Sequence, residues 1–154
     1  MKTDMTHLSE RTQSFFSGCR PIVAAYLFGS AASGRMRPGS DVDIAVLLEE
    51  GEIARDRKSL LEALLPPLSR MLRADVHLLF LNDASYAART EVFTEGKLLY
   101  ARNPRQVAVF RMKSAAFYAE FAPLMQKTRK GFQARLRRCH ELQRDPLVED
   151  RGSA

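Results

Sequence analysis

Three short pieces of this chain hold residues whose types and spacing suit phosphate and metal chemistry. Gly29-Ser30 closes an apolar run, Asp41-x-Asp43 opens a second, and Asp75 stands near the start of a third. On a strand, the carboxylates of a D-x-D point the same way, about 7 Å apart along the backbone. Two negative groups so close repel unless a cation joins them. Carboxylate oxygens with open positions suit Mg²⁺, which keeps several waters and takes its remaining ligands from phosphates. Gly29 would let the backbone approach a phosphate, and the Ser30 hydroxyl and nearby N–H groups would donate to its oxygens. Arg35 and Arg37 would add positive charge there, with Ser40 just before the first aspartate. Asp75 offers a third carboxylate if its strand lies beside that of Asp41, so that two ions could be held.

Each part has a plainer reading. A lone D-x-D is common, Asp75 alone is as easily a strand-end cap, and His77 reads as a partly buried spacer. Ala45 stands where an EF-hand needs a further oxygen ligand, and no G-x-x-x-x-G-K-[ST] is present. The joint pattern is stronger than any one part.

The elements that must position these residues follow from the apolar spacing. Residues 6–18 suit a short helix with Thr6 as its cap, and "PIVAAYLF" (21–28) reads as a strand covered on both faces. "DVDIAVLL" (41–48) alternates, with Val42, Ile44 and Val46 on one face and Asp41, Asp43, Ala45 and Leu47 on the other. A helix is expected from about Glu52, with Ile53, Leu60, Leu64 and Leu68 inward, bent or interrupted at Pro66-Pro67. "ADVHLLFL" (74–81) is the third strand. "DASYAARTEVFTEG" is a capped helix ended by Gly96, and "KLLYA" a short fourth strand. From Pro104, Val107, Phe110, Ser114, Phe117, Phe121, Leu124 and Thr128 form one stripe of a long amphipathic helix kinked at Pro123. Such a stripe reads first as core packing.

Length and composition fit one globular protein: 154 residues, 45% hydrophobic, 27% charged. No apolar run is long enough to span a membrane and no signal-peptide core is present, so a cytoplasmic location is expected. Cys19 and Cys139 lack metal-ligand spacing and read as free thiols. The net charge of +6 resides in residues 127–144, where seven Lys/Arg face one acid, Glu141. This segment reads as a solvated helix face, or as a contact for nucleic acid or an acidic partner.

"GSAASGRMRPGSDVDIAV" resembles the G-S-x₁₀-D-x-D signature of the DNA-polymerase-β-like nucleotidyltransferases. The short length and "SAAFYAEFAPLMQK" (114–127) make the chain similar to the minimal nucleotidyltransferase (MNT) antitoxins paired with HEPN toxins. The resemblance implies an α/β (α+β) fold: a small mixed sheet packed with helices, plus a long C-terminal amphipathic helix. It implies a catalytic core over 1–103, a helical extension over 104–144 and a flexible tail over 145–154. Gly29 and Ser30 would hold the triphosphate, Asp41 and Asp43 would ligate Mg²⁺, and Asp75 would be the third carboxylate. The implied reaction is AMP transfer from ATP to a tyrosine hydroxyl of a cognate HEPN toxin, releasing pyrophosphate. Two other readings stay open: an antitoxin acting by occlusion alone, and a stand-alone transferase for small molecules. Arg135 and His140 form an R-x₄-H, but Leu142 replaces the tyrosine expected next in the HEPN ribonuclease motif, so the match reads as chance.

Overall fold

The structure, a computed structural model, describes residues 5–52 and 56–142. Ile53, Arg144 and the tail from 145 lie outside the described residues, as do the side chains of Thr6, Arg129, Phe132, Arg135, Arg137, Arg138, Cys139 and His140. The elements run α1 (Met5–Ser17), β1 (Ile22–Phe28), α2 (Gly29–Ala32), β2 (Val42–Leu48), α3 (Arg57–Leu72), β3 (Val76–Phe80), α4 (Tyr86–Glu95), β4 (Lys97–Ala101) and α5 (Pro104–Leu142). The chain divides into two compact units, Met1–Tyr118 and Ala119–Ala154.

One four-stranded sheet, ordered β3-β2-β1-β4, organises the first unit. β1 pairs antiparallel with both β2 and β4, while β2 and β3 run parallel, so the sheet is mixed. Burial on both faces of β1 and β2 follows from their apolar content. Ile22, Ala25, Leu27, Ile44, Val46 and Leu48 pack with Phe16 of α1 and Leu60, Leu64 and Leu68 of α3. Val23, Tyr26, Ala45 and Leu47 pack on the other face with Val92 of α4 and Val107 of α5. The alternation expected for β2 is therefore what the two cores display. Asp41 and Asp43 share the face of Ala45 but stand at the strand's start, where the core gives way to solvent.

Three expectations are corrected. Thr6 lies inside α1 rather than at its cap. The helix expected from Glu52 begins at Arg57, because Asp56 takes the cap position and accepts from the Lys58 N–H and the Ser59 hydroxyl; Glu50–Glu52 is a single 3-10 turn. Those two hydrogen bonds, the Ser59 one foremost, hold the Asp56 carboxyl below its ordinary range. Pro66-Pro67 do not interrupt α3. The carbonyls they leave without an N–H partner belong to Glu62 and Ala63, both exposed and so open to water.

The α5 stripe is core only in part. Val107 and Ser114 are buried, whereas Phe117, Phe121 and Leu124 are 44%, 41% and 61% exposed. Phe117 stacks on Tyr86 of α4 at 5.3 Å between ring centroids. Phe117, Phe121 and Leu124 are thus not interior positions.

The C-terminal end of β2 is held by Asn82, whose Oδ1 accepts from the Leu48 N–H at 2.8 Å and whose Nδ2 donates to the Leu48 carbonyl at 3.2 Å. Asn82→Ala should leave both buried backbone groups without that partner and destabilise the fold by about 1–3 kcal/mol. Urea unfolding measures it, and an unchanged midpoint would show that the two bonds contribute nothing net.

Candidate active site

β1 ends at Phe28, which pairs across the sheet with Asp43. The chain then turns sharply at Gly29, where φ is +67°, into the single turn of α2. That left-handed conformation suits glycine, and a second constraint adds to it. A Cβ at Gly29 would stand 2.5 Å from Asp43 Oδ2 and 3.3 Å from its carboxyl carbon. The two halves of the motif, ten residues apart in sequence, are in van der Waals contact.

The loop from α2 to β2 is built from local hydrogen bonds. Ser33 Oγ donates to the carbonyls of Gly29 and Ser30, and the Arg35 N–H donates to the Ser30 carbonyl. Ser40 closes the turn before Asp41: its Oγ accepts from the Arg37 N–H at 3.0 Å and its N–H donates to the Arg37 carbonyl. Ser40 therefore sets the entry of the aspartates into β2. Arg35, Arg37 and Asp41 are exposed, Ser30 is half-buried, and Asp43 is 28% exposed at its side chain.

β3 lies beside β2, the adjacency on which the third-carboxylate reading depends, and runs parallel to it. The Val42 N–H donates to the Asp75 carbonyl at 2.8 Å, which sets Asp41 and Asp75 side by side one step before the Val42–Val76 pair. The next pair on that face is Asp43–His77. His77 is not the half-buried spacer read from sequence. Its side chain is 70% exposed and its Nδ1 lies 3.4 Å from Asp43 Oδ1. The sequence signal was present, since His77 shares the parity of Asp75, but only the register reveals its partner.

Six of these residues fall into two groups. Gly29, Asp43 and His77 touch or nearly touch. Arg37, Ser40 and Asp75 line a groove of about 1390 Å³ between α1, the α2–β2 loop and the end of α3, with Arg70, Arg73 and Lys97 adding positive charge. Among the described residues, no three His, Cys, Asp or Glu side chains are grouped closely enough to hold a metal by themselves. Two oxygen-donor side chains at a solvent-open edge nevertheless fit an ion that draws its other ligands from water and phosphate. Among these residues too, no helix is long and apolar enough to cross a membrane.

The family profile described as "Polymerase beta, Nucleotidyltransferase" matches residues 10–105. Solved structures share the fold over nearly their whole chains. One is the MntA–HepT toxin–antitoxin carrying two Asp-to-Glu replacements two positions apart, 25% identical with a TM-score of 0.70, covering 81% of this chain and 98% of that one. A second is a toxin–antitoxin with AMP-PNP, 26% identical with a TM-score of 0.65, covering 86% and 99%. A third is a tri-AMPylated Shewanella oneidensis HEPN toxin in complex with an MNT antitoxin, 26% identical with a TM-score of 0.64, covering 84% and 99%. No curated protein matches the chain.

Proposed function

The chain belongs to the polymerase beta nucleotidyltransferase family, and on that premise we propose that it is a cytoplasmic MNT antitoxin that transfers AMP from ATP to a tyrosine hydroxyl of its cognate HEPN toxin. The observation that carries this reading is the contact of Gly29 with Asp43, which joins the phosphate-approach turn to a metal-ligand carboxylate in one small site. The AMP-PNP and tri-AMPylated structures support the same nucleotide and acceptor chemistry, since AMP-PNP is an ATP analogue and AMP is the group the modified toxin carries.

In the reaction, the phenolic oxygen attacks the α-phosphorus, the α–β phosphoanhydride bond breaks, and pyrophosphate leaves with that electron pair. The phenol proton passes to solvent or to a carboxylate. Gly29 and Ser30 hold the triphosphate, assisted by Arg35, Arg37 and Ser40. Asp41 and Asp43 would hold Mg²⁺, and Asp75, beside Asp41, would be the third carboxylate. Mg²⁺ when bound neutralises phosphate charge and lowers the pKa of the attacking hydroxyl. The chain's own part is to fix the turn at Gly29 against Asp43 and to leave the side of the site open. An open edge suits a macromolecular acceptor, which brings its own surface and presents the hydroxyl.

Incubating a cognate HEPN toxin with the chain, ATP and Mg²⁺ should raise the toxin's intact mass by whole multiples of one adenylyl group. The same mixture with an α,β-methylene ATP analogue, whose α–β bridge cannot break, should leave the mass unchanged. An unmodified toxin that is still neutralised in a stable complex would favour occlusion, the second reading.

A further inference from the structure

The oxygens of Asp43 face different neighbours. Oδ2 is turned to Gly29, close enough to exclude a Cβ there. Oδ1 is turned to β3, where the residue paired with Asp43 is His77 and the imidazole Nδ1 stands 3.4 Å away. β3 is the sheet's edge strand, and the His77 side chain is 70% exposed, so packing does not account for its orientation. Two donors on neighbouring positions of one octahedral ion with bonds near 2.1 Å stand about 3 Å apart. The separation of Nδ1 and Oδ1 is close to that span. Mg²⁺ seeks oxygen, whereas divalent transition ions accept imidazole readily.

We propose that His77 is a nitrogen ligand of the metal site, joining Asp43 so that the site takes a divalent transition ion, for which Mn²⁺ is the probe, in preference to Mg²⁺. The inference rests on the nucleotidyltransferase reading and deepens it by assigning the metal class. Asp75, opposite Asp41, keeps its place beside the first aspartate, and the position beside the second is filled by nitrogen rather than by oxygen.

The test uses the full chain labelled with ¹⁵N-histidine, Mn²⁺ and an α,β-methylene ATP analogue, whose adenine nitrogens remain ¹⁴N. Pulsed electron paramagnetic resonance should detect ¹⁵N coupled directly to the bound Mn²⁺. The coupling should vanish in His77→Asn, and Mn²⁺ affinity should fall by about tenfold or more, since loss of a ligand should cost at least what loss of an outer-shell partner does. Mg²⁺ affinity should move much less. Because His77 is exposed, its replacement should leave the melting temperature unchanged, and the wild-type spectrum decides the matter without any variant. Bound Mn²⁺ with no ¹⁵N coupling, or coupling that persists in His77→Asn, overturns the inference while leaving the transferase reading intact. Failure to bind either Mn²⁺ or nucleotide overturns both.

Discussion

Asp43→Asn should lower the rate of toxin adenylylation by about 10³-fold or more, the several kcal/mol that a metal-held charge contributes to phosphoryl transfer. The amide has the shape of the carboxylate, so it fits the same space against Gly29 and leaves Phe28–Asp43 pairing undisturbed. What it loses is charge. The three atoms nearest the place of a Gly29 Cβ all belong to Asp43, so Asp43 is the carboxylate set against this turn. The fold should be as stable as the parent, because removing one of two nearby like charges relieves repulsion. Single-turnover assays by intact mass, alongside thermal melts, separate the two effects. Activity within about tenfold of the parent would mean that Asp43 is not a metal ligand, since loss of a ligand's charge cannot be so mild.

Much of this site was legible because its signals are local. Pro21 and Gly29 bracket β1 in the sequence as in the structure, and the D-x-D alternation already put both carboxylates on the face of Ala45. Gly96 stops α4 where it was expected to, and its place has a packing reason as well: a Cβ there would run into the Val92 and Leu27 carbonyls. The parts misread depend on neighbours distant in sequence or on solvent. The neighbour of His77 is set by the β2–β3 register, which alternation within β3 cannot supply. Pro66-Pro67 looked like a break, yet the exposure of Glu62 and Ala63 makes their free carbonyls inexpensive. The α5 stripe has one period in sequence, but periodicity alone does not say which positions are covered: Ser114 is buried while Phe117, Phe121 and Leu124 are exposed. Arg57 was not singled out at all, although its guanidinium binds Asp83 at 2.6 Å and lies over the Phe80 ring. That pairing holds the Asp83 carboxyl below its ordinary range, so whatever it contributes is present above the unfolded pKa and is lost as pH falls through the folded one.

Gly29→Ala should remove transfer activity nearly as completely as loss of the aspartate, and for a reason that a matched variant can isolate. Two costs arise at this position. The backbone is left-handed, with φ at +67°, which costs a residue bearing Cβ roughly 1–2 kcal/mol. The new methyl would also stand 2.5 Å from Asp43 Oδ2, so the carboxylate must shift, or the turn must. Gly34 has the first cost without the second: its φ is +71°, and nothing lies within 4 Å of where its Cβ would be. Gly34→Ala should therefore lose about the same stability, roughly 1–2 kcal/mol, and keep its activity. Gly29→Ala should lose at least that stability and, beyond it, about 10²-fold or more in turnover, as expected when a reacting geometry is displaced by about 1 Å. Denaturant unfolding compares the strain, and mass-resolved kinetics on the toxin compares the chemistry. If both variants lose activity in equal measure, the effect is backbone strain alone. The contact between Gly29 and Asp43 would then be a packing coincidence, not the clasp on which transfer depends.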